Sequence, residues 1–283
     1  MRFSPIGSDK KPPILIPFRR WRLWLLLFFL TACIDLPIQQ GQDDTVQSAP
    51  IHKPFTTQNH IYEPKVIKTV RFYGAESSGN LKQYFNPPIV ALGQFQSIVL
   101  EFDVMDGTPL SLQAKIVHCN MDWTPSKLLE MEFINEINEF QVQRYENSFR
   151  TKVNYLHYQF TVPKVKLSGN YVLVLYRNGN QEDRMLTRRF MIYENKVSIS
   201  PEIRNPNFSD ARDKKQQIDV RLGFRDYNVI NAREDFQMVM RQNFRWDNAL
   251  YNLKPTQVRD FDHLAEYMPL DGTNHFAGLN EYR

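Results

Sequence analysis

The chain has 283 residues, 35 basic and 31 acidic, for a net charge of +4, and 13% of it is aromatic. The excess charge is local: residues 1–32 hold six basic residues and one acidic residue, which leaves 29 basic against 30 acidic, a balance of −1, from residue 33 on. A surface so balanced has no net pull on a phosphate backbone, which sets nucleic acid aside as a partner. Tyr and Phe dominate the aromatics, a composition suited to β-structure.

Arg19, Arg20 and Arg22 precede a short apolar run, Leu23 to Leu30, which closes on Leu30-Thr31-Ala32-Cys33. Basic residues, an apolar stretch and small residues form a secretory signal. The cysteine directly after them is the residue a lipoprotein signal would acylate. The run is shorter than the roughly 20 apolar residues that span a bilayer. Residues 1–32 therefore read as a lipoprotein signal peptide, with Cys33 the lipidated residue and the lipid the link to a membrane. There are only two cysteines, so a lipidated Cys33 leaves Cys119 without a disulfide partner. Residues 33–61, rich in Gln, Asp, Ser, Thr and Pro, read as a flexible tether.

Strand patterns begin at Tyr62. Ile98, Leu100, Phe102 and Val104 alternate with polar residues, and so do Leu110, Leu112, Ala114 and Ile116. With Asp106-Gly107 between them, the two runs predict a β-hairpin with a long loop. Lys127 to Phe140 sets Leu129, Phe133, Ile137 and Phe140 at helical spacing and predicts a short helix over a sheet end. Leu156, Tyr158, Phe160 and Val162 alternate again. Tyr171 to Tyr176 is apolar on both faces and predicts a central strand, with Asn178-Gly179 as the hairpin turn and Phe190 to Tyr193 as the return. Prolines at Pro201 and Pro206 and a fresh alternation through Ile218, Val220, Leu222 and Phe224 predict a boundary near Val197, with Phe236 to Met240 continuing the second unit. The expected fold is all-β, with tandem immunoglobulin-like β-sandwich domains over 62–195 and 196–283. The second has few strands for a closed sandwich, and the sequence reads as a piece of a longer chain.

The densest chemical cluster is His118-Cys119-Asn-Met-Asp122-Trp123-Thr-Pro125-Ser126. On a strand His118 and Cys119 point to opposite faces, which argues against joint metal ligation. His118 falls with Leu112 and Ile116, as a buried, hydrogen-bonded histidine would, and Asp122 and Pro125 suit a turn that ends the strand. A Cys119–His157 nucleophile pair is conceivable, but nothing supplies an orienting group or an oxyanion hole. Arg188 and Arg189 at a strand start fit a solvated end, a pair with a carboxylate such as Asp183, or an interface anchor. Gln242, Asn243, Arg245 and Trp246 suit an interaction hot spot or an edge-strand ladder equally well. The sequence holds no Gly-rich phosphate loop, no HExxH and no GxSxG, so no cofactor, metal or small-molecule substrate is expected.

Eight segments taken in order resemble one family. They are Ile67-Lys-Thr-Val-Arg-Phe-Tyr73, Pro88-Ile-Val-Ala-Leu-Gly93, the His118 to Ser126 cluster, Tyr145-x-x-Ser148-Phe149, Tyr155-x-His157-Tyr158, Ser168-Gly-Asn-Tyr171, Thr187-Arg-Arg-Phe190 and Gln242-Asn-x-Arg245-Trp246. Together they resemble the plug proteins of the type IX secretion system over residues 62–283. Val104-Met105 and Arg150 depart from the family pattern, and family members continue beyond the equivalent of Arg283. The resemblance implies a periplasmic β-sandwich protein, not an enzyme, that closes the periplasmic mouth of a large outer-membrane β-barrel translocon, its partner. The competing reading is a tethered carbohydrate-binding surface lipoprotein, which needs an exposed platform of aromatics such as Trp123 and Trp246.

Overall fold

Alternation of apolar and polar residues underlies the core-facing strands at residues 97–105 and 155–161. The computed structural model describes residues 53–75, 81–94, 96–105, 107–207 and 214–278. The signal-like segment, Cys33, residues 34–52 and Asp106 of the turn lie outside the described residues. The N-terminal strands are β1 (His60–Ile61), β2 (Ile67–Ala75), β3 (Ile89–Ala91), β4 (Ser97–Met105) and β5 (Leu112–Cys119). They continue as β6 (Phe140–Gln141), β7 (Tyr145–Asn147), β8 (Tyr155–Thr161), β9 (Gly169–Arg177) and β10 (Asn180–Tyr193), with a single helical turn, α1 (Glu130–Phe133), between β5 and β6.

These strands form two facing layers. One sheet runs β1-β10-β9-β5-β6, with β3 also pairing with β10, and the other runs β2-β4-β8-β7. Leu100, Phe102 and Val104 of β4 meet Leu112, Ala114 and Ile116 of β5 in one core, joined by Leu156 and Tyr158 of β8 and by Leu173, Leu175 and Phe190 of the opposite layer. Such burial removes apolar surface at about 25 cal/mol per Å² and dominates the stability of the layers. The predicted turn at Asn178-Gly179 joins β9 to β10, and both residues hold the positive φ of a tight hairpin, 56° and 69°.

Three expectations need correction. β4 and β5 are not a hairpin, because each belongs to a different sheet. The connection is long enough to cross the sandwich, and crossing lets the apolar faces of both strands meet instead of lying side by side. The hydroxyl of Tyr158 accepts from the amide of Leu110 at 3.0 Å and pins the crossing. The helix over 127–140 is reduced to α1, with Leu129 64% and Ile137 85% exposed. The open edge of β5 recruits this segment instead. Buried Asn138 accepts from the amide of Ile116 at 2.8 Å and donates to its carbonyl at 2.7 Å, and β6 extends the pairing. Residues 53–61, read as tether, lie along the sandwich. Buried Lys53 pairs with Asp183 at 2.6 Å and Glu63 at 2.7 Å, Thr187 donates to the carbonyl of Gln58 at 2.6 Å, and β1 pairs with β10. A sheet edge with unpaired backbone groups holds the segment there.

The C-terminal strands are β11 (Ser198–Arg204), β12 (Lys215–Gly223), β13 (Met238–Met240), β14 (Leu250–Leu253), β15 (Gln257–Arg259), β16 (Leu264–Tyr267) and β17 (His275–Ala277), with one turn of helix, α2 (Ala232–Asp235). One sheet runs β11-β12-β16-β15, with β17 also on β12, and β13 and β14 pair separately. Val220, Leu222, Phe224, Met240, Leu253, Ala265, Tyr267 and Phe276 make a second core. The all-β fold thus comprises two cores built by antiparallel sheets. Among the described residues no helix is long and apolar enough to cross a membrane.

Candidate functional site

The double-sided apolar pattern of β9 has a specific cause. Tyr171, Leu173 and Leu175 face the sandwich core, whereas Val172 and Val174 face outward. There they form an apolar strip with Val117, Cys119 and Met191, capped by Trp123 and by Trp246 from the C-terminal unit. The cluster after β5 builds this cap. Thr124 donates its amide to the Asp122 carboxylate at 3.0 Å, Trp123 donates its amide to the carbonyl of Asn120 at 3.0 Å, and Cys119 bridges to Pro125. Ser126 closes the loop, its amide on the carbonyl of His118 at 2.9 Å and its hydroxyl on His118 Nδ1 at 2.8 Å. The turn holds Trp123 at φ 68°, a left-handed conformation costly for a bulky residue, with its side chain 2% exposed.

Four side chains meet over this cap. The rings of Trp123 and Trp246 stand edge to face with centroids 4.8 Å apart. The Arg189 guanidinium lies 4.3 Å from the Trp123 centroid and 5.3 Å from that of Trp246, and Arg241 lies 4.0 Å from Trp246. Such contacts contribute about 0.5–2 kcal/mol each, more as water is excluded. Burial lowers the pKa of both arginines from the ordinary guanidinium value. The four line a cleft of about 200 Å³, walled by Phe72, Phe85, Phe244 and the Pro87-Pro88 corner. Asn243 and Phe244 hold φ of 54° and 57°, which turns the chain back on itself between Arg241 and Trp246. Buried Gln242 anchors that turn by donating to the carbonyl of Ala277 at 3.0 Å.

The remaining signature residues divide between core and surface. His118 sits against Phe133 and Tyr171, and burial depresses its pKa. Phe190 stacks on Tyr171 at 5.2 Å, and Tyr158 on Phe102 at 5.3 Å. Ser148 Oγ accepts from the amide of half-buried Tyr155 at 3.0 Å beside the β7–β8 pairing, while Phe149 is exposed under Arg150. Arg188 and Arg189 lie in the middle of β10, not at a strand start, because β10 begins at Asn180. Asp183 pairs with Arg177 and Lys53 and leaves both of them alone. Arg188 donates to the carbonyls of His60 and Thr187, and burial pushes its pKa down to about 10. Arg245 pairs with Asp247 in the open and does not line the cleft. On this turn the arginine that does is Arg241, which sequence reasoning missed; one residue before Gln242, it has the pattern of an ordinary polar strand end.

A Cys119–His157 pair does not form. Cys119 lies on the outer face of the six-stranded sheet, and His157 lies on the outer face of the other sheet, where its Nδ1 meets Asp103 at 2.8 Å. Burial pushes the Cys119 thiol up to about 11, against the pull of Arg189. Among the described residues, no three His, Cys, Asp or Glu side chains converge as metal ligands would. The aromatic platform expected for glycan binding is also missing at Trp123, which is buried, and Trp246 carries Arg241 against its ring.

The fold and site define an all-β protein whose most elaborate surface is a structural joint between two β-units. Residues 67–194 match the family described as type 9 secretion system plug protein, first domain. The N-terminal sandwich thus matches the first domain of that plug-protein family. A crystal structure of a hypothetical protein from Parabacteroides merdae is similar over 80% of this chain, with a TM-score of 0.71 and 26% identity. The chain spans 55% of the length of that solved chain. No curated protein matches the chain.

Proposed function

We propose that the protein is a non-enzymatic periplasmic plug that seals the periplasmic mouth of the large outer-membrane β-barrel translocon of the type IX secretion system. The observation that carries this reading is the plug-family match of residues 67–194. A barrel wide enough for folded cargo leaks solutes unless its inner end is blocked. A rigid sandwich body is suited to be that stopper, bound over an area large enough to seal yet able to leave. In this reading 62–195 and 196–283 are its two domains, and a lipid on Cys33 holds it at the membrane. Such an anchor raises the plug's concentration near the barrels without adding a contact. The signature residues shape the body and its cleft and perform no chemistry.

The test is a pull-down of the affinity-tagged full-length protein from membranes of its native host, read by mass spectrometry. A giant outer-membrane barrel is expected to co-purify, to disappear when residues 62–283 are deleted, and to persist in Cys119→Ser. Recovery of glycan-uptake porins, or of no barrel, rejects the plug in favour of a glycan-binding lipoprotein.

A further inference from the structure

Several guanidinium groups elsewhere in this fold find carboxylates: Arg177 meets Asp183, Arg184 meets Glu182, Arg204 meets Glu202, and Arg259 meets Glu266. The two arginines of the cleft do not. Arg189 gives its Nε–H to the carbonyl of Thr57 at 2.7 Å, and its two terminal nitrogens have no acceptor among the described residues. Arg241 reaches only the carbonyl of Phe244, at 3.5 Å, the limit of a hydrogen bond. Both groups are half-buried. A third donor is stranded beside them: Trp123 Nε1 is buried without an acceptor. Unmet donors at partly desolvated sites are costly, and native proteins leave few of them.

The missing chemistry is therefore an anionic acceptor. A guanidinium fork prefers a planar carboxylate, bound through two parallel hydrogen bonds. The walls add a second requirement. Phe85 and Phe244 are 76% and 46% exposed at the rim, so an occupant that also offers apolar surface gains more than a free ion does. At about 200 Å³ the cleft is smaller than the 300–1,000 Å³ usual for small-molecule sites and takes a few side chains of a docked segment.

We propose that this cleft is a docking site for an acidic, aromatic-bearing peptide segment of a partner protein, whose carboxylate is clamped between Arg189 and Arg241 beside the two tryptophans. Charge complementarity selects the occupant: two cations without counter-ions, set in an aromatic wall. The proposal stands on the cleft itself and not on the plug role. A barrel missing from the pull-down leaves the docking site intact, and an idle cleft leaves the plug reading intact.

The test titrates the full chain with a capped Asp-Glu-Phe-Asp peptide and follows the tryptophan indole N–H signals by NMR, assigned through Trp123→Phe and Trp246→Phe. Saturable shifts of both indoles are expected. Binding should weaken about tenfold or more for the capped Asn-Gln-Phe-Asn peptide and in Arg241→Gln. Arg241→Lys, which keeps the charge but loses the fork, should weaken it several-fold, and it replaces Arg241→Gln should that variant lose its circular dichroism spectrum. No saturable shift at millimolar peptide overturns the proposal, as does equal binding of the amide peptide or indifference to both Arg241 variants. Tighter binding of a digalacturonate probe than of the peptide also overturns it, in favour of an acidic glycan.

Discussion

Truncating Trp123 tests whether the joint is a keystone. The side chain is 2% exposed, lies on Cys119, Val172 and Val174, and touches Arg189 and Trp246. Emptying a buried tryptophan site costs about 3–5 kcal/mol, which already includes most of the ring stacking and cation–π attraction removed with the indole. One effect works the other way: the orphaned indole N–H disappears, which returns about 1 kcal/mol. Trp123→Ala should therefore lose about 3 kcal/mol, a large share of the roughly 5–15 kcal/mol that holds a domain. The backbone adds a sharper check. At φ 68° alanine keeps the left-handed strain and glycine does not, so Trp123→Gly should be about 1 kcal/mol more stable than Trp123→Ala. That reverses the order usual within helices and strands, where glycine is the worse choice. Urea titration by circular dichroism reads both differences. A loss under 1 kcal/mol for Trp123→Ala would refute the keystone; glycine less stable than alanine would refute the strain.

Three further outcomes are expected. Burial holds His118 below its ordinary value near 6.5, so the unfolded chain takes up this proton first as pH falls. The contribution of neutral His118 is present above about pH 6.5, is lost as pH falls from there through the folded value, and is flat below it; thermal melts between pH 8 and 5 should show less of this slope in His118→Gln. Gly169 admits no side chain, because a Cβ there would stand 2.7 Å from His118 Nε2. Gly169→Ala should cost about 1–3 kcal/mol of overpacking, and a His118→Ala background should recover part of it, as a double-mutant cycle would measure. With a thiol pushed up to about 11 and buried, Cys119 should resist maleimide at neutral pH in the folded protein and react promptly in urea, read by mass spectrometry.

Period-2 alternation found β4, β5, β8 and β12, a run apolar on both faces found β9, and the Asn178-Gly179 pair found its hairpin. Alternation could not say which sheet a strand joins. The alternations of β4 and β5 look the same whether the strands pair side by side or face each other across a core, and only the packing of Phe102 and Val104 against Ala114 and Ile116 decides. The helical spacing of Leu129, Phe133, Ile137 and Phe140 misled because one buried amide, Asn138, outweighs it by satisfying both backbone groups of Ile116. At the cleft the sequence singled out Trp123, Arg189 and Trp246, as tryptophan and arginine are common anchors. It also singled out Arg245, which lies outside the cleft, and did not single out Arg241. The two arginines differ in their C-terminal neighbours: Asp247, two residues after Arg245, takes that guanidinium, and Arg241 has no such carboxylate to keep it from Trp246.

Three segments that are far apart in sequence converge on this cleft, and they come from two different cores. Trp123 and Arg189 stand on the N-terminal sandwich, and Arg241 and Trp246 stand on the turn between β13 and β14. The joint is therefore also a coupling. Any group that bridges Arg189 and Arg241 stabilises the docked arrangement of the two units by its own binding free energy, about 2.7 kcal/mol at a hundredfold excess over its dissociation constant. The same linkage runs in reverse: loosening the joint must weaken the ligand by the same factor. Trp246→Ala removes a ring from the C-terminal side and leaves both guanidinium groups in place, so it separates the two effects. If the peptide still binds that variant as tightly as the parent, occupancy of the cleft is not coupled to the joint. If affinity falls in step with the stability of the joint, the two units form one binding element, and occupancy of the cleft can set how firmly the body holds together.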